Sequence, residues 1–329
     1  MASGNPIALL GTTHGVVRFE DDTVGLLSSD GESVRALARV PGGELLAGSD
    51  EGGIFASSRK GVEWRRVARL PHGISSLVRI PGPKPRLVVL DAAGSIWSGS
   101  PTRGDFELRL EAVEGDCEEP PELLRLPTSA SHLVLVDPRR ERLWRSTDGG
   151  TSFAVHGDEL PGSPTRLSVH PGDSRLWMLG LDCGLAQSSD GGRSFHLMER
   201  PKGCRVRRVA LHRPTDPVIL AVTEVEPGGE PETASALWLG KGTRIGPIAR
   251  GVLDSVRDPS GVILSAVWAQ RNREDVVLLG TNRGELLLVD PNRVRCELLA
   301  EGLGEIRVML TGGGGMPMDP EGSGIHLLP

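Results

Sequence analysis

Seven polar residues recur along the chain, each in a short polar segment between two apolar runs, and their side chains could do acid–base chemistry. They are His14, Asp50, Asp91, Asp137, Asp182, Glu224 and Asn282. Two suitably spaced carboxylates can hydrolyse a glycosidic bond, and a group of acids around one opening attracts a cation or a basic peptide segment. Asp and Asn also favour turns through local hydrogen bonds alone. Turn formation, binding and catalysis are therefore the three interpretations that this set allows.

Three arginines form a second candidate set, because each stands two residues before a proline. The segments are Arg39-Val-Pro41, Arg79-Ile-Pro81 and Arg125-Leu-Pro127. Clustered guanidinium groups bind carboxylates and phosphates well. The sequence therefore makes Arg39, Arg79 and Arg125 a candidate anion-binding set, with solvated charges at strand ends as the alternative.

Two segments share the pattern Ser-x-Asp-x-Gly-x-x-Phe, and their serines lie 42 residues apart. The shared residues are Ser146, Asp148, Gly150 and Phe153 in the first copy, and Ser188, Asp190, Gly192 and Phe195 in the second. The aspartate of such a segment can accept hydrogen bonds from the N–H groups of its own turn, and its glycine supplies a positive φ angle. We expect both segments to be structural turns whose phenylalanines pack between neighbouring repeat units.

The elements that position these residues repeat through the chain. Five predicted strands end at a proline, and the prolines are 40, 46, 44 and 43 residues apart: Pro41, Pro81, Pro127, Pro171 and Pro214. Two further copies without proline follow. A period of this size is typical of units with four short strands. Residues 7–19 have the hairpin pattern without an innermost strand before it, and residues 305–310 have the innermost-strand pattern without a hairpin after it. We therefore expect the two to pair and close a ring.

The two Ser-x-Asp segments resemble the Asp-box (BNR) repeat of sialidase-like β-propellers. The chain as a whole is similar to YVTN/BNR-like propellers, a group that includes photosystem II assembly factors and sortilin-type domains. This resemblance implies an all-β, seven-bladed β-propeller of four-stranded antiparallel blades. Residues 1–310 would form the propeller, and residues 311–329 a Gly/Pro-rich tail. In propellers the turns between the second and third strands line one end of the central channel, so the seven polar residues would lie there.

Sialidase activity does not fit, because sialidases use a tyrosine nucleophile and this sequence contains no tyrosine. The segment Val78-Arg-Ile-Pro81 is close to a sialidase motif, but it recurs in other repeats and is better explained as a strand-end turn. The histidines and the four cysteines show no metal-ligand spacing, so we expect no metal and no cofactor.

Composition narrows the class of protein further. The net charge of −6 argues against a nucleic-acid partner. The sequence contains no stretch of 18 apolar residues, so we expect no membrane-spanning helix and no insertion into a membrane. The start of the chain lacks the pattern of a signal peptide, so we expect a cytoplasmic protein. Propellers of this group without catalytic residues mostly serve as platforms for protein partners.

The sequence therefore predicts a non-catalytic platform for protein–protein interaction, as a subunit or assembly factor of a larger complex. Irregular insertions at residues 114–122, 224–233 and 251–261 would suit recognition. The alternative is a glycan-directed hydrolase or lectin that uses an acidic ring at the end of the channel.

Overall fold

The computed structural model describes most of the chain between residues 8 and 311. The described ranges are 8–20, 23–27, 31–39, 44–57, 63–83, 85–100, 103–111, 120–212, 218–223, 236–241, 244–247, 262–272, 274–291, 293 and 295–311. Of the predicted tail at residues 311–329, only Thr311 is described, and it ends a strand. The insertions at 224–233 and 251–261 lie outside the described ranges, as do residues 114–119 of the first insertion. No helix in the described part of the chain is long and apolar enough to cross a membrane.

In the described residues, twenty-eight strands form seven four-stranded antiparallel sheets, each of which is one blade. Blade 1 contains β4 (Val34–Arg39), β5 (Leu45–Ser49), β6 (Gly53–Ser57) and β7 (Trp64–Arg69). Blade 2 contains β8 (Ile74–Ile80), β9 (Arg86–Asp91), β10 (Ile96–Gly99) and β11 (Phe106–Leu110). Blade 3 contains β12 (Glu122–Arg125), β13 (Leu133–Asp137), β14 (Arg142–Ser146) and β15 (Ala154–His156).

The remaining blades follow the same order. Blade 4 contains β16 (Pro164–Val169), β17 (Trp177–Leu181), β18 (Gly184–Ser188) and β19 (His196–Lys202). Blade 5 contains β20 (Val206–His212), β21 (Val218–Thr223), β22 (Ala236–Lys241) and β23 (Arg244–Pro247). Blade 6 contains β24 (Ile263–Arg271), β25 (Glu274–Thr281), β26 (Leu286–Asp290) and β27 (Arg295–Ala300).

Blade 7 closes the ring by combining the two ends of the described chain. It contains β28 (Ile306–Thr311), β1 (Ala8–Thr12), β2 (Gly15–Glu20) and β3 (Thr23–Leu27), in that order. β28 pairs antiparallel with β1, with Leu310 opposite Leu9. The predicted seven-bladed propeller and its closure by terminal strands are confirmed.

The hydrophobic core lies between the blades, because each blade buries both of its faces against its neighbours. One cluster joins blades 1 and 2 around Ile54 and Leu77, and another joins blades 3 and 4 around Val136 and Trp177. All five residues of β5 are buried. Burial on both faces explains why the second strands read as continuous apolar runs and not as an alternating pattern.

The innermost strand of each blade carries a local irregularity where it begins. In six of the seven blades its pairing register with the second strand shifts within the first few residues. Such a β-bulge leaves one residue unpaired and turns its side chain in a new direction. In blade 1 the shift falls between Val34 and Ala36, which leaves Arg35 unpaired in the ladder.

Candidate functional site

The predicted polar set at the turns after the second strands occupies three different positions. Asp91 and Asp137 are the last residues of β9 and β13. Asp50, Asp182 and Asn282 each stand one residue beyond their strands, and His14 lies within the turn between β1 and β2. Glu224 lies outside the described residues. The described members share one end of the propeller but not one register.

Asp91 and Asp137 are buried within their own hairpins. Asp91 is fully buried, and it accepts hydrogen bonds from the Ser95 N–H at 2.8 Å and from the Trp97 indole N–H at 2.9 Å. Asp137 is 3% exposed and forms an ion pair with Arg140, whose guanidinium lies over the Trp144 ring. Both carboxylates therefore have partners within the hairpin that carries them.

Serine and threonine occupy the position of Asp91 in other blades, and their hydroxyl oxygens likewise accept a hydrogen bond from a backbone N–H of the turn. The Ser49 hydroxyl accepts the Gly53 N–H at 2.9 Å, and Thr281 Oγ1 accepts the Glu285 N–H at 3.1 Å. In each case the acceptor lies four residues before the donor. This recurrence indicates that the oxygen at this position shapes the turn.

Asp50 belongs to a charged network that joins blade 7 to blade 1. Its carboxylate pairs with Arg35 Nε at 2.8 Å, accepts the Ser33 hydroxyl at 2.8 Å and pairs with Arg307 of β28. Arg307 also pairs with Glu305 at 2.8 Å. Partial burial raises the pKa of Asp50, but Arg35, Ser33 and Arg307 outweigh it and hold that pKa below its ordinary value.

Asp182 and Asn282 hold the backbone at the start of their innermost strands. Asp182 Oδ1 accepts the Ser163 N–H at 3.0 Å, and Asn282 Oδ1 accepts the Val262 N–H at 2.9 Å. Both residues return a backbone hydrogen bond to the same partner. His14 is exposed, and its own N–H donates to Thr12 Oγ1 at 3.1 Å.

The two Ser-x-Asp turns have matching hydrogen bonds. Asp148 Oδ1 accepts the Ser146 hydroxyl at 2.8 Å and the Thr151 and Ser152 N–H groups at 3.0 Å, while Oδ2 accepts the Ser152 hydroxyl at 2.6 Å. Partial desolvation raises the pKa of Asp148, but these hydrogen bonds outweigh it and lower that pKa to about 2. The carboxylate is thus used inside its own turn.

The second turn repeats this arrangement around Asp190. Its carboxylate accepts the hydroxyls of Ser188 and Ser194, both at 2.7 Å, and the Ser194 hydroxyl is the main cause of its lowered pKa. Gly192 has a φ angle of +80°, and a Cβ atom there would lie 2.4 Å from the Trp177 ring. Only glycine fits both conditions without strain.

The phenylalanines of the two turns lie in the cores between blades. Phe153 packs on the cluster between blades 2 and 3, and Phe195 packs on the cluster between blades 3 and 4. The turn of blade 3 is also tied to blade 2, because the Arg86 guanidinium donates to the carbonyl oxygen of Gly149 at 2.7 Å. These turns join neighbouring blades.

The three candidate arginines share one register on consecutive innermost strands. Arg39 pairs with Leu45, Arg79 with Leu87 and Arg125 with Leu133, which are corresponding positions of β5, β9 and β13. All three side chains are partly exposed. We call this group the arginine arc. It lies at the opposite end of the innermost strands from Asp50.

Polar residues within the innermost strands form links between blades that the sequence analysis missed. Glu122 Oε2 accepts the Leu167 N–H at 3.0 Å, and Arg208 Nε donates to the Leu264 carbonyl at 2.6 Å. Arg166 donates to the Pro120 carbonyl at 3.1 Å. Such side chains satisfy backbone groups that have no partner strand on the channel side. In the sequence, these links could have been inferred from the presence of a charged residue within a predicted buried strand.

Metal ligands do not cluster in the described part of the chain. No group of three or more His, Cys, Asp or Glu side chains there has the geometry to hold a metal ion. Cys183 and Cys296 are free thiols, and burial raises the pKa of Cys296 to about 11.

Solved structures with the same fold include a protein that binds a peptide and an enzyme. YCF48 from Cyanidioschyzon merolae superposes with a TM-score of 0.63 at 12% identity, over 87% of this chain and 91% of that one. YCF48 bound to a D1 peptide superposes with a TM-score of 0.57 at 13% identity, over 89% and 84% of the two chains. An ancestral GH74 enzyme superposes with a TM-score of 0.60 at 14% identity, over 85% of this chain.

This chain spans 38% of the length of that GH74 enzyme. No protein-family model and no curated protein sequence matches the chain. At these levels of identity, the similarity establishes the seven-bladed propeller fold and nothing finer.

Proposed function

We propose that this propeller is a non-catalytic platform for protein partners in the cytoplasm, acting as a subunit or assembly factor of a larger complex. The observation that carries the proposal is that the candidate catalytic acids are buried and already have hydrogen-bond or ion-pair partners. Asp91 is fully buried and Asp137 is 3% exposed, and each has partners within its own hairpin. A general acid needs access to the substrate oxygen, which these burials disfavour.

The structural neighbours add support for a binding role. YCF48 is similar over most of both chains and has been seen bound to a D1 peptide. Aromatic residues make up 3% of this chain, which leaves few rings to stack against sugars. A rigid ring whose connecting loops vary in length suits recognition of a protein surface.

The test is capture of the tagged protein from its native lysate at modest salt, followed by mass spectrometry and by size-exclusion chromatography of the native protein. The expected result is a stoichiometric partner that co-elutes with the chain. A solitary monomer in both measurements would contradict the proposal.

The alternative is a glycan-directed hydrolase or lectin. The structural similarity to a GH74 enzyme is the observation that favours it. Assay of the purified protein on xyloglucan and related glucans tests it, with the Asp91→Asn/Asp137→Asn double variant as the control. Hydrolysis by the unmodified protein that the double variant lacks would establish the alternative and overturn the platform proposal.

A further inference from the structure

The outermost strand of blade 1 is the most positively charged of the seven outermost strands. β7 contains three arginines and no acidic residue. Of the other six, β3 and β15 contain no lysine, arginine or acidic residue, β23 has one arginine, and β11, β19 and β27 each combine basic residues with a glutamate. The full sequence has 37 basic and 43 acidic residues, excluding histidine. A local positive charge therefore lies at the rim of an acidic protein, where it attracts anionic groups.

Three exposed arginines at this strand are not used by the fold. Arg65 and Arg69 belong to β7, and Arg103 belongs to the adjacent segment of blade 2. Among the described residues, no ion pair and no side-chain hydrogen bond involves any of these three guanidinium groups. Arg66, in contrast, pairs with Glu32 at 2.7 Å. We call Arg65, Arg69 and Arg103 the basic edge.

Arg103 lies beside β7 although it belongs to another blade. A Cβ atom on the following residue, Gly104, would lie 2.5 Å from the Val67 carbonyl oxygen and 3.6 Å from the Ala68 side chain. The segment that carries Arg103 therefore packs directly on the middle of β7, and its positive charge adds to that of the strand.

The arginines of β7 lie on both faces of the blade. Arg65 is opposite Ala56 of β6, and Arg69 is opposite Gly53. Successive side chains of a strand alternate between its faces, so Ala56 and Gly53, which are an odd number of residues apart, mark opposite faces. β7 is also the terminal strand of its sheet. Positive charge thus lies on both sides of an edge strand.

We propose that the basic edge binds an extended acidic segment of a protein partner. This proposal rests on the platform function and specifies its binding surface. An extended segment that runs beside β7 places its side chains alternately on the two faces, so its carboxylates reach arginines on both. Edge strands accept such added segments, and guanidinium groups bind carboxylates through paired N–H donors.

The same charges disfavour other occupants of this edge. Two copies of β7 would repel each other, because like charges on paired strands are destabilising. A long polyanion such as a nucleic acid would extend over the rest of a protein whose net charge is −6. A short acidic segment avoids both penalties.

Binding of labelled hexaglutamate to the full chain, measured by fluorescence anisotropy, tests the proposal. An oligothymidine of equal charge serves as the comparison probe. We expect saturable binding of hexaglutamate that weakens as salt is added. No saturable binding of hexaglutamate, or tighter binding of the oligothymidine, would overturn the proposal.

Variants of the basic edge show whether it is the site. Arg65→Gln/Arg69→Gln/Arg103→Gln should weaken hexaglutamate binding by roughly tenfold, since it removes three exposed ionic contacts. All three side chains are exposed, so the variant should fold, and circular dichroism checks this. If it does not fold, Arg65→Gln alone replaces it.

The matched control is Arg175→Gln/Arg193→Gln/Arg295→Gln. It removes the same charge from exposed positions on blades 4 and 6 and should leave the affinity nearly unchanged. An equal loss of affinity in the two triple variants would contradict the proposal, because it would show that only the total charge matters. Arg295→Gln is the control for Arg65→Gln.

Hydrogen–deuterium exchange locates the bound segment. Hexaglutamate should slow exchange in Trp64–Arg69, because edge N–H groups gain partners when a segment pairs with the strand. Protection confined to the innermost strands would place the peptide at the channel and overturn the proposal.

Capture from lysate with the two triple variants separates this surface from the platform function. A partner that the control triple retains and the basic-edge triple loses would support both. A partner retained equally by the two would keep the platform and reject the basic edge. Hexaglutamate binding that depends on the basic edge, with no partner in lysate, would uphold the surface and reject the platform.

Discussion

Arg35 and Arg39 lie four residues apart on β4, yet their surroundings differ completely. Arg35 is the unpaired residue of the bulge at the start of the strand, pairs with Asp50 at 2.8 Å and belongs to the network that includes Arg307. Arg39 ends the strand, and its buried Nε atom has no hydrogen-bond partner among the described residues. The same side chain therefore stabilises the junction of two blades at one end of the strand, whereas at the other end it is partly desolvated.

The difference shows how the propeller divides its polar residues. At the Asp50 end, bulges and turn residues hold the strand starts and join the blades, so the charges there are neutralised internally. At the other end, the regular pairing of the innermost strands gives Arg39, Arg79 and Arg125 the same register on three consecutive blades.

Removal of the Asp50 carboxylate should have the largest effect on stability. Asp50→Ala leaves Arg35 and Arg307 without their shared carboxylate at the junction of blades 7 and 1. We expect the free energy of unfolding to fall by about 2–3 kcal/mol, because a partly buried charge that loses its partner is costly. Urea denaturation measures this change. Asp173→Ala, which removes an exposed carboxylate paired with Arg175, should cause almost no change, and a similar loss in both variants would contradict the account.

Glutamine substitutions on β4 should sharpen the comparison within one strand. Arg35→Gln breaks one ion pair with Asp50 and should cost about 1 kcal/mol. Arg39→Gln removes a partly desolvated charge, so its effect should stay within about 0.5 kcal/mol. Denaturation of the two variants side by side measures both effects. A greater loss of stability from Arg39→Gln would show that Arg39 serves the fold.

Acid should weaken the two Ser-x-Asp turns and the Asp50 network. The pKa values of Asp50, Asp148 and Asp190 lie below the ordinary value of 3.8 in the folded protein. The unfolded chain therefore takes up protons first as the pH falls. Their contribution to stability is fully present above about pH 5 and is lost as the pH falls through the pKa values of the folded protein. The folded pKa of Asp148 is about 2.

Urea midpoints measured between about pH 6 and pH 3 should record this loss. The fall should be smaller in Asp50→Asn, since that variant has lost one of the three carboxylates. An unchanged profile in the variant would mean that Asp50 contributes nothing to the acid sensitivity.

Much of the fold could be predicted from the sequence, because turn residues and apolar runs recur in every repeat. The prolines after the innermost strands and the incomplete patterns at residues 7–19 and 305–310 were sufficient to predict seven blades and a closed ring. The arrangement of the acids could not be predicted. Asp91 ends its strand while Asp50 follows its own by one residue, and this offset depends on hairpin geometry that similar sequence patterns do not reveal.

The arrangement of the arginine arc could be predicted only in part from the sequence. Its residues were visible in the sequence through their spacing from proline, but their shared register required the strand pairing. The difference between Arg35 and Arg39 required the bulge and the position of Asp50, since both are arginines in the same predicted strand. Sequence patterns locate a repeat, whereas the use of each charge depends on contacts between blades.

The most direct test of this division is nuclear magnetic resonance of the arginine side chains in the unmodified protein and in Asp50→Asn. The Nε–H signals of Arg39 and Arg35 can be assigned from the variants Arg39→Lys and Arg35→Lys. The account predicts that Asp50→Asn shifts the Arg35 signal and leaves the Arg39 signal in place, because Arg35 Nε lies 2.8 Å from the Asp50 carboxylate. A shift of Arg39 without a shift of Arg35, or equal shifts of both, would contradict it.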